Sequence, residues 1–294
     1  MPPTLTVPTS DGRSLDVWLS GPATGRPLFF HYGTPSSGEP LAAHVEAAAA
    51  RSLRLISYAR PGYAGSTRHE GRSVVDAVDD TRTILDHLGI DQVHALGWSG
   101  GGPHALACAA LMPDRVLGTA ILAGVAPWGA EGLDWYADMG TENVHEFEAA
   151  LAGPDVLLPL VEPGVAEMQV MQPADLVAAL GDLVDEVDAG SLDDPALADW
   201  LARVMRDGMR PGPWGMFDDD LAFTRPWGFD PATIERPVHV WQGGHDRMVP
   251  YGHGQWLAAH CGGACVHLDP AHGHLSLVVD EFGEILDELL GTAA

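Results

Sequence analysis

The chain has 294 residues, 46% of them hydrophobic, which is enough for one large α/β domain or two ordinary ones around a substantial core. Its 41 acidic residues against 15 basic ones, all Arg, give a net charge of −26, and that balance argues against nucleic acid as a partner. No run approaches the ~18 apolar residues of a membrane span, and Met1-Pro2-Pro3-Thr4 carries neither a basic nor an apolar leader region, so a soluble cytoplasmic protein is expected.

Thr4 to Ser20 reads as a hairpin, with Leu5 and Val7 alternating before Asp11-Gly12 and Leu15, Val17 and Leu19 after it. Pro27 to Tyr32 is apolar on both faces, as a buried strand is, and runs into the loop Gly33-Thr34-Pro35-Ser36-Ser37-Gly38. A helix with Leu41, His44, Val45 and Ala48 on one face follows, then a strand from Arg54 to Tyr58 and the turn Arg60-Pro61-Gly62-Tyr63-Ala64-Gly65-Ser66. Val74, Val78, Thr81 and Leu85 recur at helical spacing up to Gly89. A strand from Val93 to Leu96 enters Gly97-Trp98-Ser99-Gly100-Gly101, a helix from His104 to Met112 leaves it, and Val116 to Ala123 makes another strand. Strand-then-helix repetition predicts parallel strands joined by crossovers.

The rhythm breaks near Ala126. Residues 126–231 contain helix-like segments, among them Glu142 to Ala152 and Pro195 to Asp207 with Asp194 as N-cap, and no buried-strand pattern. The stretch holds 22 acids and four arginines, so −18 of the −26 lies there, with five of the nine Trp and six of the nine Met. Strands return at Pro237 to Trp241 and Cys265 to Leu268, separated by a helix around Gln255 to His260 and followed by one final helix, Leu275 to Leu290. The expected organisation is a core made of 1–125 and 232–294 with a helical cap inserted at 126–231. Cys108, Cys261 and Cys265 are too few, and odd in number, for a disulfide framework.

Ser99 sits on a tight strand-to-helix turn whose glycines let the backbone close, which would push its hydroxyl out of the fold. A serine hydroxyl is too weak an acid to attack unaided and requires a base, an orienting carboxylate and anion-stabilising donors. With this elbow, the strand order and the insertion, the sequence resembles the α/β-hydrolase fold family over nearly its whole length outside the cap. The resemblance implies an α/β fold with a mostly parallel eight-stranded sheet flanked by helices, and a triad in the chain order serine, acid, histidine. Ser99 matches the nucleophile. Asp246, in Gln242-Gly243-Gly244-His245-Asp246, matches the acid, the alternative being a cap on the next helix. In Ala271-His272-Gly273-His274 the family pattern selects His274 as base, with His272 as the alternative. The oxyanion donors implied are Gly100, after the nucleophile, and Thr34, since Tyr32-Gly33-Thr34-Pro35 resembles the family's His-Gly-X-Pro. The Arg60 turn resembles Asp-Arg-Pro-Gly-X-Gly-X-Ser with Ala59 and Ala64 departing from it, and Arg60 is read as structural. No cofactor or metal is called for.

Gly33, Trp98, Trp128 and Trp214 are expected to contact substrate, while fewer than roughly half of the cap's Trp and Met side chains should face a ligand, because such residues more often pack helix on helix. Asp218-Asp219-Asp220 is either a solvated turn or a neighbour of the pocket that favours a cation. The acidic cap opposes a polyanionic substrate. Serine rather than aspartate at position 99 argues against epoxide hydrolases and haloalkane dehalogenases. The expected activity is a serine hydrolase cleaving small or medium, apolar, neutral or cationic carboxylic esters through an acyl-enzyme, with a small-molecule substrate as partner and neither nucleic acid nor membrane. The alternatives are a prolyl-aminopeptidase-like amide hydrolase, a hydroxynitrile-lyase-like C–C cleavage, and a non-catalytic binding protein on the same scaffold.

Overall fold

The N-terminal alternation becomes an antiparallel hairpin of β1 (Leu5–Pro8) and β2 (Ser14–Ser20), with Leu5 opposite Val17 and Val7 opposite Leu15. The structure is a computed structural model and describes residues 2–291. β3 (Arg26–His31), α1 (Ala42–Ala50), β4 (Leu53–Tyr58), α2 (Asp76–His87), β5 (Val93–Trp98), α3 (Gly102–Leu111) and β6 (Val116–Leu122) follow in the predicted alternation. After the insertion come β7 (Val238–Gly243), α10 (Tyr251–His260), β8 (Ala264–Asp269), α11 (His274–Asp280) and α12 (Phe282–Leu289). The eight strands form one sheet in the order β1-β2-β4-β3-β5-β6-β7-β8. β1, β2 and β4 pair antiparallel, and every other pair is parallel. Phe29 and Phe30 point to opposite faces of β3 and both are fully buried, so helices cover the sheet on both sides.

Between β6 and β7 the chain forms α4 (Thr141–Ala152), α5 (Pro154–Met168), α6 (Leu176–Leu180), α7 (Glu186–Ser191), α8 (Pro195–Gly208) and α9 (Trp214–Phe223), with no strand. Asp194 caps α8 by accepting the Ala196 N–H at 2.9 Å. Helix α5 runs through Pro159 and Pro163, where a sequence reading stops. Both prolines are exposed, while Leu157, Val161 and Val165 bury the opposite stripe, so the carbonyls they leave unbonded face water.

The predicted single C-terminal helix is two. Its apolar spacing is continuous, but α11 packs on α7 and β7 whereas α12 packs on α1 and β6. Two sets of neighbours demand a change of direction, and it falls at Glu281.

Candidate active site

β5 delivers Ser99 at the C-terminal edge of the sheet, between β3 and β6. Its φ is +56°, a left-handed conformation that costs a non-glycine residue about 1–3 kcal/mol and survives only where the surroundings impose it. They do so by close approach. A Cβ at Gly97 would lie 2.6 Å from the Gly101 carbonyl oxygen and 2.8 Å from the Ala105 Cβ, and one at Gly101 would collide with the His31 carbonyl. These two glycines let β5, α3 and β3 converge beneath the serine.

His274 opens α11 and Asp246 lies in the loop after β7. His274 Nδ1 stands 2.8 Å from Asp246 Oδ2, and both side chains are buried. Asp246 Oδ1 accepts the Met248 and Val249 N–H groups at 2.9 and 2.8 Å, and Gln242 donates to Oδ2 at 2.8 Å. The carboxylate thus ties its own loop with one oxygen and reaches the imidazole with the other. Burial alone would lower the His274 pKa, but the charge and hydrogen bond of Asp246, with the charge of Asp188, outweigh it and raise it. His272 is elsewhere, 3.2 Å from Asp269 and 3.6 Å from Glu281 on the partly exposed side of the same turn.

The loop after β3 is held from beneath. The Arg60 guanidinium donates to the carbonyls of Tyr32 and Gly33, the latter at 2.9 Å, and to Thr34 Oγ1 at 2.7 Å. Asp219, on α9, accepts from Arg60, Arg72, Tyr63 and Thr34 and is fully buried. Burial would raise its carboxyl, but the two guanidiniums hold it well below the usual carboxylate range. Arg60 is structural, as read from the sequence. The solvated-turn reading of Asp218 to Asp220 is overturned: all three are buried, with Asp218 in a bidentate pair with Arg68 at 2.8 and 3.0 Å.

A cavity of about 350 Å³, within the roughly 300–1,000 Å³ of small-molecule sites, is lined by Gly33, Thr34, Trp98, Ser99, Gly100 and His274 on the sheet side and by the inserted helices above them. Ser99 and His274 share this wall without a hydrogen bond between them among the described residues, a looseness usual before substrate binds. Of the insertion's Trp and Met side chains, Trp200, Met168, Met171, Met205 and Met216 reach the cavity. Trp128 and Trp214 do not, which corrects the expectation for them. Trp128 packs on Trp135 and Tyr136, and Trp214 lies under the Arg68 guanidinium at 4.1 Å, so each is taken up by contacts away from the cavity. Trp98 lines the cavity and also donates to the His274 carbonyl at 3.3 Å.

A sequence profile of the alpha/beta hydrolase fold matches residues 26–281. The chain belongs to the α/β-hydrolase fold family. Among its relatives are the uncharacterized hydrolase YcgS of Bacillus subtilis (strain 168), 31% identical over 37% of each chain, and a 2-hydroxy-6-oxononadienedioate/2-hydroxy-6-oxononatrienedioate hydrolase of Cupriavidus pinatubonensis, 29% identical over 65% of this chain and 58% of that one. The chain spans from 36% to 58% of the length of the curated relatives it matches. The esterase EaEST from Exiguobacterium antarcticum superposes with a TM-score of 0.71 at 18% identity, covering 99% of this chain and 98% of that one. The enol-lactonase from Burkholderia xenovorans LB400 does so with a TM-score of 0.69 at 19% identity, covering 98% and 100%. These two likenesses are of fold.

This α/β-hydrolase carries two features that its sequence alone does not announce. Asp188, fully buried on α7, accepts the N–H groups of His274, Leu275 and Ser276 at 2.7, 2.9 and 3.0 Å, capping α11 from the insertion. In the cavity, Glu146 of α4 faces Asp220 of α9, with Glu142 and Glu167 on the same lining and no arginine among the described lining residues. Burial raises both the Glu146 and the Asp220 carboxyls, and the charge of Glu146 raises Asp220 further. Asp220 Oδ2 is buried with no donor among the described groups. No local signal marks Asp188 or Glu146, since their partners lie 86 and 74 residues away in the chain. No helix of the described residues is long and apolar enough to cross a membrane.

Proposed function

We propose that this α/β-hydrolase is a serine hydrolase that cleaves carboxylic esters of small to medium apolar acids or alcohols through an acyl-enzyme. The observation that carries the reading is the 2.8 Å contact between His274 Nδ1 and Asp246 Oδ2 on the wall of the cavity into which the Ser99 elbow opens. Asp246 fixes the tautomer that leaves Nε2 free to take the Ser99 proton, and it stabilises the imidazolium that forms. Ser99 Oγ attacks the ester carbon, and the carbonyl oxygen develops its charge against the N–H groups of Gly100 and Thr34. The clamp of Arg60 on the Tyr32 and Gly33 carbonyls supports this assignment, because it fixes the peptide planes of that loop, and the Thr34 N–H has no protein acceptor among the described residues. His274 returns the proton to the leaving alcohol, then activates the water that releases the acid. The helices of 126–231 serve as the cap that shapes the acyl and alcohol subsites.

Hydrolysis of short and medium p-nitrophenyl esters by the wild type, with Ser99→Ala and His274→Ala beside it, tests the reading. Turnover lost in both variants supports it, and turnover surviving in Ser99→Ala overturns the acyl-enzyme.

A second reading is favoured by the Glu146 and Asp220 carboxyls. A cavity whose charged lining is acidic apart from His274 suits a substrate with an ammonium or amine at one end, as in a prolyl-aminopeptidase-like amide hydrolase. Release of N-terminal residues from peptide p-nitroanilides, absent from Asp220→Asn, would support it; ester turnover with no aminopeptidase turnover would remove it.

A further inference from the structure

On the far side of the fold's last two strands, three ligand-type side chains converge from three elements. His239 of β7 and His267 of β8 lie on the same sheet face, since His239 is opposite Cys265 and Trp241 is opposite His267 in the parallel register. Glu288 reaches them from α12, and one ligand atom from each of the three lies within 4.8 Å of the others. His239 Nδ1 and His267 Nε2 are 3.3 Å apart. Two nitrogens on a tetrahedral zinc ion, each bonded at about 2.0–2.1 Å, are separated by roughly 3.3 Å, so the pair already stands at the edge length of such a site.

We propose that His239, His267 and Glu288 form a binding site for a divalent transition-metal ion of the Zn²⁺ type, with water completing the tetrahedron. The donor set of two imidazoles and a carboxylate is one that zinc accepts. The rings are prepared for it. His267 lies flat against the Trp241 indole, with centroids 3.9 Å apart and planes 4° apart, which restricts its rotation. Glu288 is half-buried on α12, with a carboxylate oxygen within 4.8 Å of a ring nitrogen of each histidine. The overall charge of −26 concentrates cations at the surface.

The bound ion would cross-link β7, the edge strand β8 and α12. The first two of these lead to Asp246, in the loop after β7, and to His274, at the start of α11, so the ion would brace the segments that hold the acid and the base from behind. It is independent of the ester-hydrolase reading and is tested without a substrate.

Zinc titration of the purified, metal-stripped full chain by calorimetry should show one saturable equivalent, and the melting temperature should rise with zinc. His267→Ala and Glu288→Gln, both at half-buried positions, should weaken that binding at least about tenfold and remove the zinc-dependent part of the melting shift. His272→Ala, whose ring sits among Asp269, Asp280 and Glu281, serves as the control for adventitious surface binding and should retain both. Cobalt in place of zinc should give the intense visible bands of a tetrahedral site in the wild type and lose them in His267→Ala. Absence of a saturable equivalent in the wild type, or equal zinc binding by His267→Ala, overturns the site and leaves a hydrogen bond between the two imidazoles as the whole of the contact.

Discussion

Asp188 Oδ2 accepts the backbone N–H of His274 at 2.7 Å, so a residue of the helical insertion caps the helix that presents the proposed base. The carboxylate pairs with no arginine among the described residues and spends its oxygens on three successive N–H groups and the Ser276 hydroxyl. Its charge also contributes to the raised pKa of His274. Asp188→Asn keeps an acceptor and removes the charge. The acid limb of the kcat/KM profile should therefore move to lower pH, while Asp188→Ala should also lose about 1–2 kcal/mol of stability as an uncapped helix start does. Paired pH profiles and melting curves separate the two effects.

In the wild type that acid limb should lie above the ordinary imidazole value of about 6.5. The base acts as the neutral form, and the net effect of Asp246 and Asp188 over burial favours the protonated one. Activity is then lost as pH falls through the raised pKa. An acid limb below 6.5 would contradict the dominance of the two carboxylates over burial at His274.

His274→Ala should lower turnover by about 10⁴-fold or more, in keeping with the loss of a triad member, and His272→Ala should leave it near wild type. His272 is held in a cluster of surface carboxylates away from the cavity lining. Ester kinetics on both variants decide between the two histidines of Ala271 to His274.

Glu146→Gln and Asp220→Asn should raise KM for an amine-bearing ester by roughly 10–100-fold, the loss of a charge-assisted hydrogen bond, and change KM for a neutral ester of the same size little. Burial raises the Glu146 carboxyl to about 7. As pH rises through that value the pair gains negative charge, so KM for the cationic ester should fall between pH 6 and 8. Equal behaviour of charged and neutral esters would exclude the pair from recognition.

Asp219→Ala leaves the Arg60 and Arg72 guanidiniums buried without their shared carboxylate. The expected cost is about 3–5 kcal/mol, read as a large fall in melting temperature. Arg60 also holds the loop of Gly33 and Thr34, so kcat at a temperature where the variant is folded should fall as well.

What the sequence disclosed follows the range of the interactions involved. The Ser99 elbow rests on Gly97 and Gly101, two residues either side, and on a strand and a helix that directly adjoin it, so it could be read locally. The strand order and the position of His274 after a glycine were equally local in kind. Asp218 and Asp219 looked like part of a solvated run because the arginines that pair with them lie 147 to 159 residues away, and Asp220 because Glu146 lies 74 residues away. Trp128 and Trp214 were as good candidates for the cavity as Trp200, since composition does not say which neighbour a side chain meets. Helix α5 was hidden by prolines whose lost hydrogen bonds fall on a wet face, and the turn at Glu281 by an apolar period that continues across it.

The insertion grips the core in the seven residues before and at Asp188. Asp182 accepts the Arg247 Nε–H at 2.8 Å through its carbonyl, Asp185 Oδ2 lies 2.5 Å from His245 Nδ1, and Asp188 caps α11. Arg247 and His245 flank Asp246 in the chain, so both the acid and the base lean on one short segment of the helical insertion. The two parts are therefore not interchangeable modules. Grafting a foreign insertion between β6 and β7 to alter specificity would strip the support from two members of the proposed triad, unless the graft carried its own equivalents of residues 182–188.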